Sequence, residues 1–214
     1  WQADSNFWWA ETNEQEVFTY LVRPGVTFGY QTDKSLIQLD YTMNGYWYGD
    51  RDTPPPGVRK ASDDNYIGHT LNLLGSTRQI DERLLVGVRE DFYLTRDPAQ
   101  SDTFSDSTLR NKYFINRVEP FAFYEFSDRF TAGVRYRNTI TNYLESDLED
   151  STENRGLVDL IYNISKTSSL DLDYQVWGRD YSKSTSAYLS NQVMLAYRQQ
   201  FRILALEAAA GYQY

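Results

Sequence analysis

The chain contains no cysteine, one histidine and two methionines among its 214 residues. Without cysteine, neither a disulfide framework nor a thiolate metal site can form. No stretch approaches the roughly 18 to 20 uninterrupted apolar residues that a membrane-spanning helix needs. A disulfide-stapled domain and a helical membrane protein are therefore excluded.

Positive charge is also scarce. The chain carries 21 Lys and Arg against 30 Asp and Glu, which gives a formal net charge of -9 and a pI of about 4.7. Non-specific binding to nucleic acid depends on an excess of Lys and Arg along the phosphate backbone. Nucleic acid is therefore not an expected partner.

Aromatic residues, in contrast, are abundant. There are 18 Tyr, 11 Phe and 5 Trp, although the mean hydropathy is only -0.62. A chain can be rich in aromatic residues and polar on average when the two kinds of residue alternate. The pattern along the chain therefore matters more than the composition.

Apolar and polar residues do alternate with a period of two, which indicates strands with one apolar face. Residues 16–31 are apolar at the even positions from Phe18 to Tyr30, over a length well beyond the usual soluble strand. The same alternation predicts further strands at 37–47, 66–77, 84–94, 118–124, 130–140, 158–164, 170–176, 193–197 and 204–214. These strands form five hairpins, and the aromatic segment 6–10 is a candidate for one more strand.

The connections between strands alternate in length. Tight turns are predicted at 31–35, 78–82, 127–129, 166–169 and 199–201, and long, polar, acidic loops at 49–64, 97–109 and 145–156, with a loop of middling length at 181–187. This organisation is typical of an antiparallel transmembrane barrel. We therefore predict an all-β, up-and-down transmembrane β-barrel of about 10–12 strands that forms a single domain over residues 1–214, with short periplasmic turns and long acidic extracellular loops.

The parity of the strands raises a question about closure. Bacterial single-chain barrels have an even number of strands and both ends in the periplasm. The strand that ends at Tyr214 starts from a short turn, so it should finish on the long-loop side. We therefore expect either a further closing strand or an unusual closure.

Two soluble architectures show similar patterns. A soluble sandwich or barrel would point its apolar residues inward, and alternation alone does not distinguish it from a membrane barrel. A propeller would repeat at the 40–48 residue spacing of the hairpins, but its strands are short and come four to a blade. Tyr and Trp at strand ends favour the membrane barrel, because aromatic girdles lie at both membrane interfaces. The predicted interface aromatics are Tyr30, Trp47, Tyr48, Tyr93, Tyr143, Trp177, Tyr181, Tyr197 and Tyr214.

The polar positions of successive strands carry charges of both signs, and in a membrane barrel they line the lumen. The predicted lumen charges are Arg89, Asp91, Arg117, Glu119, Arg135, Arg137, Asp159, Asp171, Asp173 and Arg179. We favour the interpretation that these charges form cross-strand ion pairs that fill a narrow lumen. The alternative is a charged constriction that selects solutes or a polymer in transit.

Residues for catalysis or metal binding are not evident. His69 lacks a neighbouring nucleophilic serine and shares the parity of Leu71, which favours a position at the lipid boundary over a general base. Asp171 and Asp173 have the reach of an acid–base pair, but a charged lumen also explains them. The acidic loop 145–153 lacks the glycine and the fixed ligand spacing of a calcium loop. We therefore predict no catalytic site, no metal site and no cofactor.

Three segments carry a resemblance to a known family: Ser5-Asn6-Phe7-Trp8-Trp9-Ala10-Glu11-Thr12-Asn13-Glu14-Gln15-Glu16-Val17, Val22-Arg23-Pro24-Gly25-Val26 and Leu36-Ile37-Gln38-Leu39-Asp40-Tyr41. They resemble the amino-terminal region of the β-barrel porin type 2 family, whose members accompany exopolysaccharide systems in Gram-negative bacteria. The resemblance implies an outer-membrane barrel of a Gram-negative bacterium and transfers no catalytic residue. Family members are usually longer than this chain.

The sequence thus predicts a non-enzymatic outer-membrane β-barrel that acts as a porin-like channel or as an export component of an exopolysaccharide system. Its expected partners are outer-membrane lipid, lipopolysaccharide and an envelope or polysaccharide-export complex. The alternative is a non-conducting barrel that anchors or scaffolds an envelope assembly. A lipid-modifying enzyme is disfavoured, because the histidine and serine pair is missing.

Overall fold

The structure, a computed structural model, describes residues 2–4, 16–54, 60–96, 111–144, 148–183 and 187–214. The strands are β1 (Gln2–Asp4), β2 (Val17–Val22), β3 (Gly25–Gln31), β4 (Ser35–Asp50), β5 (Tyr66–Asp81), β6 (Leu84–Thr95), β7 (Tyr113–Glu125), β8 (Phe130–Tyr143), β9 (Ser151–Asn163), β10 (Ser168–Tyr181), β11 (Tyr188–Gln200) and β12 (Ala205–Gln213). A short 3₁₀ helix, Ala61–Asp64, lies between β4 and β5. Within these ranges no helix has the length and apolarity to cross a membrane.

The strands form one antiparallel meander. Each strand from β4 to β12 pairs with its neighbours in sequence, and β1 pairs with β2. Apolar and polar residues alternate along these strands, and each side chain faces a counterpart on the same face of the next strand, which favours long ladders. The prediction of an all-β antiparallel meander is confirmed.

Two prolines mark interruptions in the ladders. Pro24 separates β2 from β3, yet both segments pair with β4 in one continuous register, so they are two halves of a single long strand. Pro120 lies within β7, where the pairing with β8 stops at Val118 and resumes at Phe121. Proline cannot donate a ladder hydrogen bond, which explains why pairing is broken at both positions.

The two faces of the sheet differ in chemistry and in burial. We call the face that carries Asp40, Asp91, Glu119, Asp159 and Asp171 the polar face and the opposite one the apolar face. Glu119 and Asp171 on the polar face are each only 3% exposed, whereas Val134 on the apolar face is 57% exposed. This arrangement is the reverse of a soluble protein and is the one expected of a sheet whose apolar face contacts lipid.

The first and last long strands are edges of the described sheet. Among the described residues, β3 pairs with β4 alone and β12 with β11 alone. All side chains of both strands are exposed. In a bilayer such edges require pairing, because their backbone groups find no water there.

The strand boundaries differ from the sequence prediction where polar residues continue the ladder. β5 runs to Asp81, so the turn predicted at 78–82 is confined to Glu82 and Arg83. β9 begins at Ser151, inside the acidic loop predicted at 145–156. Charged residues pair across neighbouring strands as well as apolar residues do. A polar run in the sequence therefore does not show where a loop ends and a strand such as β9 begins. The aromatic segment 6–10 lies outside the described residues.

Two aromatic clusters cover the long-loop end of the polar face. One contains Val17, Tyr48, Ala61 and Tyr66, with Tyr46 packed against them. The other contains Tyr113, Ile115 and Tyr143, with Tyr93 and Leu148 packed against them. The loop residues in both clusters anchor the loops to the strands, so this end of the polar face is framed by tyrosine rings.

Close packing on the polar face also explains one glycine. A Cβ built on Gly133 would lie 2.2 Å from a ring carbon of Phe123, its direct partner on β7. The Phe123 ring therefore occupies the space that a side chain would take, a known way of protecting glycine in a sheet.

Candidate functional site

All ten predicted lumen charges lie on the polar face. Their strands are β6 for Arg89 and Asp91, β7 for Arg117 and Glu119, β8 for Arg135 and Arg137, β9 for Asp159, and β10 for Asp171, Asp173 and Arg179. Each strand alternates its side chains between two faces, so a shared parity puts these residues on one side of the sheet. They form the candidate site.

The centre of the site joins β7, β8 and β9. Arg135 donates two hydrogen bonds to Asp159, from Nε at 2.8 Å and from Nη2 at 2.5 Å. Arg137 donates from Nε to Glu119 at 2.6 Å, and a second Arg137 nitrogen lies 2.5 Å from the same oxygen. Arg135 also lies 3.9 Å from Glu119, so the two arginines and the two buried acids form one network. Fork-shaped guanidinium groups suit such paired contacts with carboxylates.

A second group of contacts joins β9 and β10. Glu153 accepts hydrogen bonds from Arg155 at 2.9 Å and from Arg179 at 3.0 Å. Arg155 also donates to the side-chain oxygen of Gln175 at 3.0 Å, and its guanidinium lies 4.5 Å from the centre of the Trp177 ring. This cation–π contact and the ion pairs hold Arg155 against the sheet.

The third part reaches the last strand. Arg198 on β11 donates to Asp171 on β10 and, from Nε at 3.1 Å, to Glu207 on β12. Asp171 is buried, whereas Arg198 and Glu207 are about half exposed. Ion pairs therefore connect the polar face from β7 to β12.

The remaining predicted charges are placed by register. Arg89 lies directly opposite Glu119, and Asp91 directly opposite Arg117. Asp173 lies opposite Asp159, so two carboxylates adjoin beside Arg135. Opposite charges on neighbouring strands stabilise a sheet by a few tenths to about 1 kcal/mol per pair, whereas like charges destabilise it.

The predicted interface aromatics divide between the two faces. The register puts Tyr30, Trp47 and Tyr197 on the apolar face, and Tyr214, hydrogen-bonded through its backbone to Asn191, is 81% exposed. The other five lie on the polar face instead of the apolar one: Tyr48, Tyr93, Tyr143, Trp177 and Tyr181. The physical reason is that side chains alternate between the two faces along a strand. Each of these five residues is an even number of positions from the polar-face charges of its own strand and so shares their face.

Sequence reasoning missed four charged members of the network: Glu153, Arg155, Arg198 and Glu207. The sequence predicts Glu153 and Arg155 in the loop 145–156, Arg198 directly before the turn 199–201, and Glu207 in the strand 204–214. Their parity was a usable indication: Glu153 and Arg155 are in phase with Asp159, and Arg198 and Glu207 alternate with the apolar positions of their own strands.

The residues considered for catalysis have other roles in the structure. His69 lies on the apolar face, and its Nδ1 is 2.8 Å from the hydroxyl of Tyr41. Asp171 forms an ion pair with Arg198. Within the described part of the chain, no group of three or more His, Asp or Glu side chains is placed to hold a metal ion.

Fixed and paired charges of both signs give this face a defined electrostatic character. The guanidinium groups of residues 135, 137, 155, 179 and 198 each contact a buried carboxylate, which fixes the positions of these charges. Such an arrangement can attract or repel ions and polar solutes that move along the face, as rings of charged side chains do in channels.

No protein-family model matches the chain, and no curated protein matches it. Among solved structures the chain is similar to OmpTdeltaL8, a loop L8 deletion mutant of OmpT, which is an outer membrane protein of Vibrio cholerae. The TM-score is 0.56 over 92% of this chain and 90% of that chain, with 12% sequence identity. The likeness shows the fold alone: this chain has an antiparallel meander similar to that of the outer-membrane protein. The resemblance to the β-barrel porin type 2 family stays a prediction.

Proposed function

We propose that this protein is a non-enzymatic, porin-like barrel of the bacterial outer membrane, through which polar solutes pass along the polar face. One observation carries the proposal: a face of buried carboxylates and paired arginines lies opposite an apolar face with exposed side chains. A water-soluble protein would bury the apolar side chains. In a barrel of this fold the polar face lines the lumen, and outer-membrane lipid and lipopolysaccharide surround the apolar face.

The proposal is tested by reconstituting the detergent-refolded protein in a planar bilayer and replacing Asp91 with asparagine. Asp91 is half-buried on the polar face. We expect a steady conductance in the wild type. In Asp91→Asn we expect a reversal potential shifted toward anion preference under a salt gradient, because one fixed negative charge is lost from the path.

Asp128→Asn is the matched control for this experiment. Asp128 lies in the exposed turn between β7 and β8, so the same charge is removed away from the proposed lumen. A shift of equal size in both variants would show that the polar face does not line the conducting path.

A second candidate function is a non-conducting barrel that anchors or scaffolds an envelope assembly. The observation in its favour is the density of ion pairs, since the arginines at 135, 137, 155, 179 and 198 all contact buried acids of the same face. Side chains locked together in this way can fill a narrow lumen. A correctly folded wild-type barrel that carries no current in the bilayer would favour this function.

The finer proposal is that the protein serves an exopolysaccharide system, with an export complex as its partner. Its support is the sequence resemblance of the segments 5–17, 22–26 and 36–41, and not the geometry of the site. A soluble polysaccharide added to one side of the bilayer should then interrupt the current in discrete events. Current that is insensitive to polysaccharide, with normal conductance otherwise, would contradict this role and leave the porin-like function intact.

A further inference from the structure

A cavity of about 370 Å³ opens on the polar face near its long-loop end, away from the ion-pair network. Arg23, Thr42, Asn44, Tyr46, Thr70 and Tyr93 are among its lining residues. They come from the strand pair β2–β3 and from β4, β5 and β6, which adjoin in the sheet. The cavity is thus built by the three neighbouring strands β4, β5 and β6, with Arg23 contributed by the short break between β2 and β3.

Arg23 distinguishes this cavity. It follows β2 immediately before Pro24, and its Nη2 donates to the hydroxyl of Tyr46 at 3.1 Å. In the described part of the chain, no carboxylate pairs with Arg23, whereas the five network arginines all have acidic partners. A guanidinium carries five N–H donors, so most of those on Arg23 remain for a ligand.

The other walls of the cavity are neutral and polar. Its described lining residues include three threonines, an asparagine and three tyrosines, and none of them is Asp or Glu. Two hydrogen bonds within the walls are long, namely Asn44 to Thr70 at 3.3 Å and Tyr66 to Thr95 at 3.3 Å. The walls therefore offer hydroxyl and amide groups around a single positive charge.

A second cavity on the same face provides a contrast. It has a volume of about 160 Å³, and Arg89 lines it together with Asp40 and Asp91. An anion in that cavity would meet two carboxylates. Both cavities are lined by an arginine, but among the described lining residues only the second cavity has carboxylates.

We propose that the cavity at Arg23 binds a small hydroxylated solute through a carboxylate or phosphate group. Arg23 would hold the oxyanion in the forked geometry that guanidinium groups favour. The threonine, asparagine and tyrosine groups would bind the hydroxyls of the solute body. The volume exceeds that of a bare oxyanion and lies within the range of small-molecule sites. This inference goes beyond the proposed function, because binding at the site does not require passage through the barrel.

The test is a calorimetric titration of the refolded protein in detergent with glucuronate, glucose 6-phosphate and glucose. These probes share a sugar body and differ in the anionic group. We expect glucuronate, glucose 6-phosphate or both to bind, and glucose to bind at least about tenfold more weakly, since charge-assisted hydrogen bonds are roughly twice as strong as neutral ones. The acid that binds more tightly identifies the source of the oxyanion.

Variants at two arginines complete the test. Arg23→Gln should weaken binding of the acidic sugar by about tenfold or more, and Arg23→Lys should retain part of it, because the charge remains while the fork is lost. Arg89→Gln is the matched control and should leave the affinity unchanged. Absence of binding in the wild type, equal affinity for glucose, or equal losses in Arg23→Gln and Arg89→Gln would overturn the proposal. The titration involves no conductance, so its failure is distinguishable from failure of the porin-like function.

Discussion

Replacing Arg135 with glutamate is expected to lower the free energy of unfolding by about 3–5 kcal/mol, the usual cost of breaking a buried ion pair by removing one partner. Arg135 contacts both Asp159 and Glu119, which are 5% and 3% exposed. The substitution leaves Asp159 without its two hydrogen bonds and adds a carboxylate beside two others. Like charges at this spacing repel, and little water reaches them to screen the repulsion.

The measurement is urea unfolding of the barrel in detergent or lipid vesicles, followed by tryptophan fluorescence. Arg129→Glu is the matched control, since Arg129 lies in the exposed turn before β8 and makes the same change of charge. Surface substitutions of this kind usually change stability by less than about 0.5 kcal/mol. Equal midpoints for the two variants would show that the Arg135 network does not stabilise the fold. Arg135→Lys should fall between the wild type and Arg135→Glu, because it keeps the charge and loses the forked contact.

The face of the sheet on which Arg135 and Arg137 lie could be predicted from the sequence, whereas their ion-pair partners could not. Parity alone puts both arginines on the polar face, because alternation has a period of two. The choice of partner depends on the register between β8 and its neighbours, which brings Arg135 to Asp159 and Arg137 to Glu119. Register is set by turn geometry, and a difference of one residue at a turn would exchange the faces.

Trp47 and Tyr48 show a limit of a different kind. Both were predicted to lie at the membrane interface because both are aromatic residues near a strand end. Adjacent residues of a strand face opposite sides, so a single face cannot contain both. The structure exposes 43% of Trp47 on the apolar face and buries Tyr48, at 5% exposure, beneath the loop on the polar face. Residue type indicates an interface only when it agrees with parity.

The acidic stretch before β9 shows where composition misled the prediction. Ser151, Thr152 and Glu153 continue a run of polar residues that was predicted to be a loop. In the structure they begin β9, and Glu153 holds Arg155 and Arg179. Polar residues predict loops in soluble sheets because loops contact water. In a barrel whose polar face lines the interior, polar residues occur in strands as well as in loops.

An arginine in place of Val158 is expected to destabilise the barrel in a bilayer by about 2–4 kcal/mol, the cost of a basic side chain on the lipid face near the midplane. Val158 lies on the apolar face of β9, directly between Val134 on β8 and Tyr174 on β10. All three side chains are at least 40% exposed in the isolated chain. In lipid an arginine at this position would have to reach a distant interface or draw water into the hydrocarbon region.

The same substitution separates a membrane barrel from a soluble sheet. If the apolar face met water, Val158→Arg would sit on an exposed surface and change stability by less than about 0.5 kcal/mol. Unfolding in vesicles therefore decides between the two environments, with Thr167→Arg in the exposed turn between β9 and β10 as the control for added charge. An unfolding midpoint of Val158→Arg equal to that of the wild type would contradict lipid contact on the apolar face. A loss in Val158→Arg with no loss in Thr167→Arg would mean that the exposed apolar side chains are the surface that the bilayer covers.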